Sequence, residues 1–128
     1  MKLRYDHIHL ISRDPEAAVR FYCEHFGARE TSRMERGGAP QVFLELGEST
    51  LIVRGIREGE NPLPEGSMPR MGMDHFGFFL EGEPLDAFAE ALRKKGVKVL
   101  GEVGEAPRAR FFYVGAPDGV VVEILQAR

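Results

Sequence analysis

The stretches Asp6-His7-Ile8-His9-Leu10 and Asp74-His75-Phe76-Gly77-Phe78 decide the architecture, because the second repeats the first at an offset of 75 − 7 = 68 residues. Each is short, rich in apolar residues and opened by an Asp-His pair, as a strand with one buried face would be. A proline follows each string, Pro15 and Pro84, and opens a helical pattern that runs to a glycine, Gly27 and Gly96. Those landmarks are both 69 residues apart (84 − 15 and 96 − 27), so the chain reads as two copies of one module. Asp14 is a suitable N-cap with Pro15 in the first turn, and the two glycines stand where a left-handed C-terminal residue is wanted.

Working outward, the apolar period after each helix shortens from about 3.6 to 2, which signals strands and hairpins. Residues 28–35, 41–46 and 49–54 are expected strands in the first half, with Gly47-Glu48 turning the last pair. Residues 97–102, 110–114 and 120–126 correspond in the second, with Ala116-Pro117-Asp118-Gly119 as the turn. The expected fold is therefore α+β: two tandem βαβββ modules forming a cupped mixed sheet, with a helix outside each module. One domain spans 1–128, with modules at about 1–54 and 72–128. The stretch 55–71 between them, holding Pro62, Pro64 and Pro69, is a linker that can lie over a cavity.

Composition narrows the function. The chain has 128 residues with 17 Lys+Arg against 20 Asp+Glu, a formal charge of −3, and no basic run beyond Arg93-Lys94-Lys95. Nucleic acid and anionic membrane are thus poor partners. Cys23 is the single cysteine, so no intramolecular disulfide and no CxxC zinc or redox pair can form, which fits a reducing cytoplasm. The N-terminus turns polar too soon for a signal peptide, and no run approaches the ~18 apolar residues of a spanning helix.

Strand parity sorts the remaining polar residues. With Ile8 and Leu10 toward the first helix, His7 and His9 face the other way; with Phe76, Phe78 and Leu80 toward the second, His75 and Gly77 do the same. In the last strand Val120, Val122 and Ile124 form the helix stripe and leave Val121, Glu123 and Leu125 opposite. Glu123 in so apolar a strand needs a partner, since an unpaired buried carboxylate is costly. His7, His75 and Glu123 together would make a 2-His-1-carboxylate set, which suits one divalent ion per chain (Fe, Mn, Ni, Zn or Co) and leaves coordination positions open. His25, near the end of the first helix, needs no function there.

These residues carry a likeness: YDHIHL, PEAAVRFYCEHFGA, MDHFGF and RFFYVGAPDGVVVEIL, in that order, resemble the vicinal oxygen chelate superfamily of glyoxalases, bleomycin-resistance proteins and extradiol dioxygenases. The resemblance implies paired βαβββ modules around a metal held by His7, His75 and Glu123, binding a small substrate through two neighbouring oxygens. Four-ligand members carry Glu or Gln five residues after the glycine of the first module's last hairpin, which here is Ile52, so a three-ligand site is implied unless Glu45, Gln41 or His9 substitutes. On that reading Ile52→Glu should strengthen metal binding. The expected enzyme is a metal-dependent lyase or isomerase, or a dioxygenase. His9 and Glu123 are its candidate acid/base groups, Arg54 and Arg110 its candidate cations for a substrate anion, and Phe112 a candidate pocket wall. Phe43, Phe79 and Tyr113 could line the pocket as well, but all four aromatics suit the core better. The competing reading is a metal-free ligand-binding or sensing protein. A homodimer is expected in either case, because edge strands in each module favour pairing.

Overall fold

The computed structural model describes residues 1–2, 4–62 and 73–128, so the expected linker 55–71 lies outside the described residues from 63 onward. The chain divides into two compact units, Met1–Pro64 and Glu65–Arg128.

Unit 1 contains β1 (His7–Ile11), α1 (Pro15–Phe26), β2 (Arg29–Arg36), β3 (Ala39–Leu46) and β4 (Ser49–Arg54). Its sheet runs β1-β4-β3-β2, with β1 parallel to β4 and the other pairs antiparallel. Helix α1 starts where expected: Pro15 holds the first turn, and the Asp14 carboxylate accepts from the Ala17 N–H at 3.1 Å. It ends at Gly27, whose φ of 70° is the left-handed conformation that returns its N–H to the Tyr22 carbonyl. One sheet face, carrying Val42, Leu44, Leu51 and Val53, is buried with Ala18, Val19 and Tyr22 of the helix. Each such aliphatic side chain removed from water contributes about 1.5–3 kcal/mol.

Unit 2 repeats the plan with β5 (Phe76–Phe79), α2 (Leu85–Lys94), β6 (Lys98–Glu105), β7 (Ala109–Gly115) and β8 (Val121–Ala127), in the order β5-β8-β7-β6. Leu85, Ala89 and Leu92 of α2 are buried, as are Phe112, Val114, Val122 and Ile124 of the sheet. The α2 cap differs from the first. Pro84 supplies no side-chain acceptor, and Gln126 of β8 takes over: its Oε1 accepts the Leu85 N–H at 3.1 Å while its Nε2 donates to the Glu83 carbonyl at 2.8 Å. Strand β6 runs three residues beyond its expected end because a bulge between Leu100 and Gly104 lets pairing resume.

Candidate metal centre

In each sheet the face away from the helix carries the polar residues that parity assigned to it. On unit 1 the register His7↔Thr50↔Glu45, His9↔Ile52↔Phe43 and Ile11↔Arg54↔Gln41 lays out three cross-strand rows. On unit 2 the corresponding row is Gly77↔Glu123↔Tyr113. His75 stands just before β5 and meets Glu123 diagonally, with Nε2 3.2 Å from Oε2. The close approach depends on Gly77, where an added Cβ would lie 2.9 Å from the Glu123 carbonyl and 3.1 Å from its Cβ.

The partner on the other ring nitrogen fixes what this contact means. Nδ1 of His75 lies 2.6 Å from Oδ2 of Asp74, and a carboxylate can only accept, so Nδ1 is the protonated nitrogen. In the neutral ring Nε2 then bears a lone pair aimed at a second acceptor, the Glu123 carboxylate. Two acceptors at 3.2 Å require a cation between or upon them: a proton, which makes the imidazolium, or a metal ion. Asp74 hydrogen bonding and then the Glu123 charge hold His75 above the ordinary imidazole range, against the opposing pull of burial. Two atoms bound about 2.1 Å from one ion stand about 3.0 Å apart at a right angle and about 3.4 Å apart at the tetrahedral angle. The His75–Glu123 spacing falls between, and an Asp-oriented histidine is the usual form of a metal-ligating imidazole. The residues fit the ion that the resemblance implies.

His7 repeats the arrangement in unit 1: its Nδ1 lies 2.6 Å from Oδ2 of Asp6, leaving Nε2 unprotonated in the neutral ring. Its diagonal neighbour, the counterpart of Glu123, is Ile52, which is only 6% exposed and cannot ligate. The expected alternatives are occupied elsewhere. Glu45 pairs with Arg29 at 2.5 Å, and the Gln41 carbonyl oxygen accepts from Arg57 at 2.5 Å. His9 takes the place that Gly77 holds in unit 2, its ring centroid 6.1 Å from that of His7. Burial, then Arg54, His7 and Arg57, push His9 below the ordinary imidazole range. Among the described residues, no group of three or more His, Cys, Asp or Glu side chains gathers as a ready-made metal cluster.

Two expected substrate contacts are placed differently from the sequence reading, and a third keeps its face but is already paired. Arg110 lies in register with Gln126, the residue that reaches the α2 terminus, and its guanidinium forms a fork to Asp86 of α2 at 2.7 and 3.0 Å, with Glu105 at 3.0 Å. It is a helix-side ion pair, not a cation facing a ligand. Phe112 is completely buried, 6.1 Å ring to ring from Phe88 of α2, and so belongs to the core. Arg54 does share the His9 face, but it is 8% exposed and clamped end-on by Glu60 at 2.5 and 2.9 Å. That clamp holds the Glu60 carboxyl down to about 2.

Three residues of the site escaped the sequence reading. Asp6 and Asp74 orient the two histidines, and the repeated Asp-His dipeptide was their visible signal. Tyr113, expected in the core, is paired with Glu123 and stands 5.2 Å from the His75 ring; burial, then Glu123 and Asp74, push its phenol up. Counting back from the Pro117-Asp118 turn would have aligned positions 113 and 123.

Comparison with known proteins places the fold in a known family. The family model of the Glyoxalase/Bleomycin resistance protein/Dioxygenase superfamily matches residues 4–124. No curated protein matches the chain significantly. Among solved structures, a glyoxylase/bleomycin resistance protein/dioxygenase domain from Frankia sp. EAN1pec superposes with a TM-score of 0.82 at 23% identity, covering 100% of both chains. A glyoxalase family protein from Bacillus cereus gives 0.82 at 17% identity, covering 99% of this chain and 95% of that one. The genomically encoded fosfomycin resistance protein FosX from Listeria monocytogenes, in complex with Mn(II) and a sulfate ion, gives 0.75 at 19% identity over 100% and 95%. At these identities the likeness speaks for the fold.

Proposed function

The chain belongs to the Glyoxalase/Bleomycin resistance protein/Dioxygenase superfamily, and from that premise we propose that it is a divalent-metal-dependent enzyme acting on a small molecule with two neighbouring oxygens. The observation that carries this reading is the pair of acceptors, His75 Nε2 and Glu123 Oε2, held face to face at 3.2 Å with Asp74 behind the ring. His7, His75 and Glu123 would hold the ion. When bound, the ion supplies Lewis acidity to two adjacent substrate oxygens.

The chain's own groups divide the remaining work. Asp6 and Asp74 keep Nδ1 of their histidines protonated and so present Nε2 outward. His9, exposed on the His7 face and held neutral near neutral pH, accepts a proton from substrate; Glu123 is the second acid/base group. Tyr113, kept protonated, offers a donor beside Glu123. The exposed apolar side chains Phe79 and Leu100, with Leu125 and Phe111, give the same face of unit 2 a surface for an apolar substrate body. Pairing of two chains through an edge strand is part of this proposal.

Elemental analysis of protein purified without a chelating tag, with Fe(II), Mn, Ni, Co and Zn titrations of the stripped protein, tests it. About one ion per chain is expected, lost in His75→Ala and Glu123→Ala. Absence of binding under every condition would transfer the reading to a metal-free ligand-binding protein.

A further inference from the structure

The cation that unit 1 presents beside His9 is not the arginine that strand parity picks out. Arg54 is satisfied by Glu60, but Arg57, three residues on, has a different set of neighbours. Its Nη2 donates to a neutral amide, Gln41 Oε1, at 2.5 Å, and its backbone N–H donates to Glu60 Oε1 at 2.7 Å. Its Nε is buried without a hydrogen-bond partner, and among the described residues no carboxylate lies within ion-pair distance of its guanidinium. Arg110, likewise half-buried, has the acidic partners Asp86 and Glu105.

The position of Arg57 is also fixed. The β2–β3 turn runs beneath its aliphatic stem: an added Cβ at Gly37 would sit 3.0 Å from the Arg57 Cβ and 3.1 Å from its Cγ. Gly37 accepts the Glu58 N–H at 2.8 Å, so the turn and the Arg57 segment are tied together. Gln41, which holds the guanidinium, is 5% exposed and lies in the Ile11↔Arg54 row of the face that carries His7 and His9. Among the described residues two guanidiniums there meet one carboxylate, Glu60, which leaves the Arg57 charge without a carboxylate partner. A half-buried guanidinium held by an amide, and without a carboxylate among the described residues, is suited to receive a planar carboxylate on its remaining Nη–H groups.

We propose that Arg57, positioned by Gln41 and Gly37, is an anion-recognising residue of this protein, and that its substrate carries a carboxylate remote from the two oxygens that approach the metal. The second half rests on the metal-dependent reading of His7; the first half does not. From the His7 row to the Arg54 row is four residues of strand, about 13 Å. The long Arg57 side chain spans part of that distance, so the carboxylate and the vicinal oxygens belong at opposite ends of a chain of several carbons.

Two arms on the full-length protein test the two halves separately. In the first, the metal-stripped protein is labelled with nitrogen-15 and titrated with acetate while the arginine Nε–H signals are followed, the Arg57 signal being identified by its loss in Arg57→Gln. A saturating shift confined to that signal is expected. No shift, or one that chloride reproduces at equal ionic strength, overturns the anion site. In the second, metal-loaded protein is titrated calorimetrically with α-ketosuberate and with α-ketooctanoate, which differ only in the distal carboxylate. About ten-fold tighter binding of the diacid is expected. That preference should vanish in Arg57→Gln, persist weakened in Arg57→Lys, and leave metal affinity unchanged in both. Equal binding of the two acids overturns the substrate assignment. Loss of metal binding with a retained acetate shift would sink the metal reading alone.

Discussion

The two modules share a backbone plan and an Asp-His dipeptide, yet at two adjoining positions on the face away from the helix they differ in bulk and charge. Unit 2 places glycine at 77 and glutamate at 123; unit 1 places His9 and Ile52 at the same two points of the register. Gly77 leaves room for Glu123 beside His75, whereas the imidazole of His9 shares its row with an aliphatic neighbour that offers no ligand. One half thus pairs a histidine with a carboxylate, and the other sets two imidazoles beside an aliphatic side chain. Under the proposed function, this asymmetry would separate the ion from the proton-handling group.

Transplanting one module's pair into the other breaks the comparison most directly. Gly77→His with Glu123→Ile should abolish metal binding, with affinity falling by about 100-fold or more in a zinc or manganese titration. The reverse exchange, His9→Gly with Ile52→Glu, should give unit 1 an acidic pair and a second, weaker binding event in the same titration. Ile52→Glu alone should instead lose about 2 kcal/mol or more in urea unfolding of the metal-free protein, because it buries a carboxylate against His9. The expectation that this single change strengthens metal binding is judged separately, by metal titration of the same variant, where no gain in affinity would overturn it. Asp74→Asn sharpens the comparison: it keeps the shape but weakens the hold on the His75 tautomer, and should reduce metal affinity by about ten-fold. Among the caps, Asp14→Ala and Gln126→Ala should each cost about 1 kcal/mol in unfolding experiments.

The smallest effect is in pH dependence, where the modules act in opposite directions. Asp74 and Glu123 raise the folded pKa of His75, so in metal-free protein its stabilising contribution is complete below the unfolded value of about 6.5 and is lost as pH rises through the folded pKa. His9 is lowered by burial and by Arg54, so its contribution is present above about 6.5 and is lost as pH falls toward its folded pKa. Urea midpoints for His75→Ala and His9→Ala, taken across that range, should deviate from the parent at opposite ends. Deviations at the same end would show that the two imidazoles share one environment.

The module plan and the faces of β1, β5 and β8 were legible because they rest on local signals: a repeat, period-two alternation, and Asp-Pro and Gly helix boundaries. The same alternation separated His7, His9, His75 and Glu123 from the core. What stayed hidden depends on register between distant strands and on which partner a long side chain finds. Arg110 could be given its partner Asp86 only once α2 was seen to lie beside β7. Phe112 required the pairing with Ile124 before its helix-side position was evident. Arg54 had the right parity, but the turn that brings Glu60 back onto it left no hydrophobic pattern to read. Tyr113 was hidden for the same reason as Phe112, on the opposite face.

The two helix caps also set an order of events during synthesis. Asp14 closes α1 from three residues away, so that helix can be completed as soon as it emerges from the ribosome. The group that caps α2, Gln126, lies 41 residues downstream of Leu85 and three residues beyond Glu123 on the same final strand. The second helix therefore gains its cap only when β8 docks, in the same event that delivers Glu123 to His75. A nascent chain halted before β8 would carry a finished first module and an unfinished second one, without the carboxylate of the acidic pair.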